Sequence, residues 1–166
     1  MIHPTIFVTF PRSGHHWLIR SLKSYFGDEM QYCEFYSHCN VVGCVDGCNM
    51  QKNHDLFLDL VIPPGWQVIV QSRNAEDAIR SWWDVSPDMD WEIFRPQSTE
   101  FYNRWMEKWW DKYPQITYEE RAAFPVETLC AVIFRLCGAV DVARAQRAVA
   151  ANKTIVNQPA WVGGRL

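Results

Sequence analysis

The chain has 166 residues, with 16 basic and 19 acidic side chains and a formal net charge of −3. This balance excludes a broadly basic nucleic-acid-binding surface, so any anion site must be local. The length is typical of one domain, and no apolar run is long enough to span a membrane. A strand predicted from residue 5 leaves no room for a signal peptide, so we expect a single-domain cytoplasmic protein over residues 1–166.

The first third of the chain begins with a strand–turn–helix unit. An apolar run predicts a strand over residues 5–10, and apolar residues at helical spacing predict a helix over residues 14–26. Residues 31–36 predict a second strand. Residues 37–50, which contain two glycines and two asparagines, are expected to be irregular.

A second strand–turn–helix unit follows, with a strand over residues 68–72 and a helix over residues 76–83. Residues 98–113 predict an aromatic helix whose apolar face packs in the core. The remaining elements are a short strand over 116–118, helices over 125–137 and 141–151, and an irregular tail over 152–166.

Strands that alternate with helices predict a parallel sheet with helices on both faces. The expected fold is therefore a three-layer α/β fold of the P-loop type, with a short parallel sheet flanked by helices. Ligands of such folds bind beyond the carboxyl ends of the strands.

The turn after the first strand, residues 11–14, has the composition of an anion site. The first turn of the following helix exposes unpaired N–H groups, which bind phosphate or sulfate together with the helix dipole. Gly14 allows close approach of the backbone, Arg12 adds a charged donor and Ser13 a hydroxyl. The Walker A pattern is absent from the sequence.

The second unit places Arg73 directly after its strand and Ser81 eight residues later on the helix. Arginine pairs in a bidentate manner with phosphate, and both residues can reach one group if they project toward the same edge of the sheet. Two such turns on a small α/β domain indicate a ligand with two phosphate groups.

Residues 9–18, Thr-Phe-Pro-Arg-Ser-Gly-His-His-Trp-Leu, resemble the 5′-phosphosulfate-binding loop T-Y-P-K-S-G-T-T-W-L of sulfotransferases that use 3′-phosphoadenosine 5′-phosphosulfate (PAPS). The resemblance extends over about residues 5–138 and is to a short, bacterial- or phage-like member. It implies that the cofactor is bound by Arg12, Ser13, Gly14, His15, His16 and Trp17. The two histidines replace the usual threonine pair.

Residues 73–81 are similar to the family segment R-N-P-x-D-x-x-x-S, with Ala75 in place of proline. The resemblance implies that Arg73 and Ser81 hold the 3′-phosphate. Tyr118 lies in a segment that looks like the family's Y-E-D-L, and we expect it to pack beneath the cofactor. The family's closing loop, R-K-G-x-x-G-x-W, has only a vague counterpart over 161–166, so we expect that loop to be absent or truncated.

Lys52-Asn53-His54 resembles the family's K-T-H segment, in which a lysine stands beside the reaction centre and a histidine is the general base. Histidine suits that role because it titrates near neutral pH. The resemblance implies that His54, Lys52 and Arg12 are catalytic. His38 is the rival base, and His15 and His16 are further candidates.

The expected function is transfer of a sulfuryl group from PAPS to a hydroxyl or amine, which leaves 3′-phosphoadenosine 5′-phosphate (PAP). The acceptor could be a small molecule, a saccharide or a protein side chain, and the oligomeric state is not indicated. One alternative is a P-loop nucleotide or small-molecule kinase, and another is a PAP-binding protein without catalysis. No metal is expected, because the cysteines at 33, 39, 44 and 48 lack the C-x-x-C spacing of common zinc sites.

Overall fold

The structure is a computed structural model, and it describes residues 1–34, 47–85 and 88–153. Within these ranges the strands are β1 (Thr5–Thr9), β2 (Tyr32–Glu34), β3 (Met50–Asn53), β4 (Gln67–Ser72) and β5 (Gln115–Thr117). The helices are α1 (His15–Phe26), α2 (Ala75–Trp83), α3 (Trp91–Trp109), α4 (Tyr118–Ala123), α5 (Pro125–Cys137) and α6 (Val142–Ala151), with a 3₁₀ turn at Gly27–Glu29.

The strands form one sheet in the order β2-β3-β1-β4-β5, and every pair is parallel. β1 is central and completely buried. The chain builds one side of β1 with β2 and β3 and then crosses to build the other side with β4 and β5. In open α/β sheets, ligands bind beyond the carboxyl ends of the strands where the order reverses, which here is the end of β1.

Helices cover both faces of the sheet because consecutive strand residues point to opposite sides. Phe7 and Ile69 pack with α1, α5 and α6 on one face. Ile6, Val8 and Val70 pack with α2 and α3 on the other. This arrangement confirms the predicted three-layer α/β fold with a short parallel sheet.

Helix α3 differs from the prediction at both ends, since it spans Trp91–Trp109 rather than residues 98–113. The Asp90 side chain caps it by accepting a hydrogen bond from Glu92 N at 2.8 Å. Pro96 lies inside the helix and does not end it. The core role of the aromatic face is confirmed, because Trp105 is fully buried and its ring centre lies 5.7 Å from that of Phe10.

Strand β3 was not predicted, because three of its four residues are polar. Gln51, Lys52 and Asn53 are all buried between β1 and β2. A strand with neither an apolar run nor an alternating pattern carries no periodic signal. Helix α4 was also missed, whereas α1, α2, α5 and α6 lie where they were predicted, within a residue or so.

Candidate active site

The loop between β1 and α1 carries the first group of predicted anion-binding residues. Arg12 and Gly14 both have left-handed backbone conformations, with φ of 67° and 79°. Left-handed residues in a tight turn can help to direct backbone N–H groups toward a bound anion. Gly14 is the N-cap of α1 and provides no side-chain cap, and the Ser13 hydroxyl is buried without a hydrogen-bond partner. The first turn of α1 can therefore donate to a ligand.

Gln71, near the end of β4, holds this loop in place. Its side-chain Nε2 donates to the Ser13 backbone carbonyl at 2.8 Å, and its backbone carbonyl accepts from Phe10 N at 2.9 Å. Its Oε1 lies 3.3 Å from His15 Nδ1. Sequence analysis missed Gln71, because a single buried glutamine in a strand belongs to no recognisable motif.

The two histidines of the loop are placed differently. His15 is buried, with Nε2 3.2 Å from the Tyr32 hydroxyl, and burial holds its pKa well below the ordinary value. Both of its ring nitrogens thus lie against protein atoms, so an anion would meet its backbone N–H. His16 is half exposed, and its Nε2 lies 3.9 Å from Glu34 Oε1. Burial and the charge of Lys52 lower the pKa of His16.

The second turn meets the first at the carboxyl edge of the sheet. Arg12 Nε donates to Ser81 Oγ at 3.1 Å, so residues 69 positions apart are joined. Burial and the charge of Arg73 lower the pKa of Arg12. Arg73 itself has a buried Nε without a hydrogen-bond partner, and its Nη2 lies 3.9 Å from Asp77. The structure therefore brings Arg12, Arg73 and Ser81 together.

His54 directly follows β3 and lies beside the end of β1. Its Nδ1 is 2.6 Å from the Thr9 carbonyl oxygen, which can only accept, so Nδ1 carries the proton. In the neutral ring Nε2 is then the basic nitrogen. Burial and the charge of Lys52 lower the pKa of His54 to about 3. His54 is therefore neutral near pH 7, with its proton on Nδ1.

Lys52 projects from β3 and is almost completely buried. Its Nζ lies 3.5 Å from Glu34 Oε1, which also accepts a hydrogen bond from the Tyr32 hydroxyl at 3.2 Å. Burial lowers the pKa of Lys52, and the Glu34 carboxylate opposes that shift. Glu34 is a partner that sequence reasoning missed, because it lies in a short strand outside the recognised motifs.

The backbone that carries His54 is fixed by a buried carboxylate. Asp55 Oδ2 accepts from Lys108 Nζ at 2.7 Å and from Trp109 Nε1 at 2.8 Å. Trp105 Nε1 donates to the His54 carbonyl at 3.0 Å. These contacts tie the histidine to the aromatic helix α3, which limits its movement relative to β1.

The other predicted site residues lie on helices α1 and α4 or outside the described ranges. Trp17 is buried on α1, and Tyr118 opens α4 with the Arg73 guanidinium 4.4 Å from its ring centre. His38, the rival base, and the cysteines at 39 and 44 lie outside the described residues. In residues 1–34, 47–85 and 88–153, no three metal-ligating side chains are grouped. The helices of these ranges include none that is long and apolar enough to cross a bilayer.

Comparisons with known proteins agree with the geometry at the level of fold. No protein-family model matches the chain, and no curated protein sequence matches it significantly. The chain is similar in structure to a mouse sulfotransferase, SULT7A1, solved in complex with PAP, with a TM-score of 0.65 and 16% sequence identity. The match covers 94% of this chain but 66% of that protein, which is less than two thirds of its length. The chain thus has a sulfotransferase-like fold.

Proposed function

We propose that the protein is a sulfotransferase that moves a sulfuryl group from PAPS to a hydroxyl or amine acceptor. The observation that carries this proposal is the hydrogen bond from Arg12 to Ser81, which joins two separate anion-binding turns into one site. A ligand with two anionic groups a short distance apart, as in PAPS, would satisfy both turns.

The residues present fit such a nucleotide. The loop amides and the Ser13 hydroxyl, which is buried without a partner, would hold the 5′-phosphosulfate. The unpartnered Arg73 Nε, together with Ser81, would hold the 3′-phosphate. Buried polar groups are costly when unsatisfied, and a bound anion would satisfy these donors.

The chemistry requires a base and a positive charge. PAPS supplies the sulfuryl group, which passes to the acceptor oxygen or nitrogen as its bond to the 5′-phosphate oxygen breaks. Nε2 of His54 would take the proton that the acceptor releases. Lys52 and Arg12 would stabilise the negative charge that develops on the departing phosphate oxygen. The buried setting strengthens these interactions because the local dielectric is low.

Thermal unfolding with PAP, with ATP and magnesium, or with neither tests the proposal. A ligand at 100 times its dissociation constant stabilises a protein by about 2.7 kcal/mol. For a chain of this size we expect PAP to raise the Tm by about 5–10 °C. ATP with magnesium should give a smaller shift, because it lacks a 3′-phosphate for Arg73.

A shift with ATP and magnesium alone would contradict the proposal and favour a kinase. PAP could raise the Tm while the protein transfers no sulfate to any phenol, saccharide, amine or hydroxyl-bearing peptide. That result would indicate a PAP-binding protein without catalysis. If neither ligand raises the Tm, the resemblance is one of fold only.

A further inference from the structure

Arg121 in helix α4 is a buried cation that the assigned site does not use. The residue is only 3% exposed, and its Nε is buried without a hydrogen-bond partner. No carboxylate in the described parts of the chain forms an ion pair with it. A buried charge is normally paired, so an arginine in this state needs a separate explanation.

Aromatic rings hold the guanidinium in place but do not neutralise it. Its central carbon lies 4.3 Å from the ring centre of Tyr118 and 5.0 Å from that of Trp17. Stacking on aromatic faces offsets only part of the free-energy cost of burying an ion. The rings therefore orient a charge whose burial they only partly offset.

The position of Arg121 connects both anion-binding turns. The Arg73 guanidinium contacts the same Tyr118 ring, at 4.4 Å from its centre. On the other side, Nη2 of Arg121 lies 3.0 Å from the point where a Cβ on Gly14 would stand. A Cβ at residue 14 would press on the Tyr118 ring at 2.9 Å as well as on the guanidinium, so the glycine makes room for both side chains.

We propose that Arg121 is a third arginine of the nucleotide site, which binds the 3′-phosphate together with Arg73. This inference rests on the proposed function. The two guanidinium groups share one aromatic ring, both have a buried Nε without a partner, and their charges repel each other in the absence of an anion. A phosphate dianion at the edge of the Tyr118 ring, within reach of both guanidinium groups, would satisfy both of them. Lys52 and the loop amides already serve the 5′ end of the ligand.

Calorimetric titration with two nucleotides tests this assignment. PAP carries the 3′-phosphate, and adenosine 5′-phosphate lacks it. For Arg121→Met we expect PAP affinity to fall about 10-fold or more, because one charged hydrogen-bonding partner is lost. The affinity for adenosine 5′-phosphate should not change. Arg121→Lys should recover part of the PAP affinity. Arg144→Met is the matched control, since Arg144 is exposed and stacks on Tyr25 at 5.1 Å.

Each other outcome overturns the inference. Unchanged PAP affinity in a folded Arg121→Met protein would make Arg121 a structural stacking residue. An equal loss for both nucleotides would place it at the 5′ end. Failure of the unmodified protein to bind PAP would remove the proposed function and this inference together.

A second measurement tests the assignment even if Arg121→Met does not fold. In the ¹⁵N spectrum of the unmodified protein, the Arg121 Nε–H signal is identified by its loss in Arg121→Lys. It should shift on addition of PAP and stay in place with adenosine 5′-phosphate. A signal that responds to neither nucleotide, or to both alike, contradicts the assignment.

Discussion

Replacement of His54 by alanine should lower the rate of sulfuryl transfer by about 100-fold or more, because the acceptor proton loses its base. PAP affinity should be little changed, because His54 is not among the donors assigned to either phosphate and its Nδ1 contacts Thr9. The rate is measured as PAP released from PAPS, with the acceptor taken from a panel of a phenol, a monosaccharide, an amine and a hydroxyl-bearing peptide.

The matched control is His3→Ala, which removes an exposed histidine before β1, at the opposite end of that strand from the site, and should leave the rate intact. His38→Ala separates the rival bases. A full rate in His54→Ala, with the loss appearing in His38→Ala, would show that the base was assigned to the wrong residue.

The pH dependence follows from the same histidine. Its pKa in the free protein is about 3, so the base remains unprotonated as the pH falls from neutral to well below 6.5. The acid limb of kcat/KM, which reports the free enzyme, should therefore lie below pH 6.5. In ¹⁵N spectra, Nδ1 should carry the proton and Nε2 none throughout that range. An acid limb or ring titration near pH 6.5 would contradict the buried, neutral base.

Replacement of Arg73 by glutamine should weaken PAP binding by about 2–5 kcal/mol, which corresponds to about 30-fold or more in Kd. Arg73 carries a buried Nε without a partner, and its closest ion pair, with Asp77, is long at 3.9 Å. The protein therefore offers it little of the charge compensation that a phosphate would provide. Calorimetric titration of PAP measures the effect.

The control for charge removal is Arg95→Gln, because Arg95 is an exposed arginine that pairs with Glu76 at 3.3 Å on the outer surface. It should bind PAP as the unmodified protein does. Equal PAP affinities in Arg73→Gln and Arg95→Gln would exclude Arg73 from the 3′-phosphate site and leave its position beside Arg12 unexplained.

The sequence was sufficient for elements in which local chemistry and global packing agree. β1 and β4 are apolar runs that end in basic turns, and each is followed by an amphipathic helix. Such segments identify both the strand and the edge of the sheet where the ligand binds. The fold class and the meeting of Arg12, Arg73 and Ser81 could therefore be predicted.

The missed features depend on tertiary contacts. β3 is a polar strand whose side chains are buried by its neighbours, where Lys52 Nζ lies 3.5 Å from Glu34 Oε1 and Gln51 is fully buried. Gln71 and Arg121 act through partners far away in sequence, in the loop at Ser13 and Gly14. No spacing rule connects such pairs. The start of α3 was missed because the proline at residue 96 looks like a helix stop, although the helix continues through it.

The central claim is that two strand–turn–helix units form one site for a nucleotide with phosphates at both ends. A crystal structure of the protein with PAP tests it most directly. We expect the 3′-phosphate to contact Arg73 and Ser81, and the 5′-phosphate to accept hydrogen bonds from the amides that follow Ser13. A nucleotide bound elsewhere, or with only one phosphate against these turns, would contradict the claim.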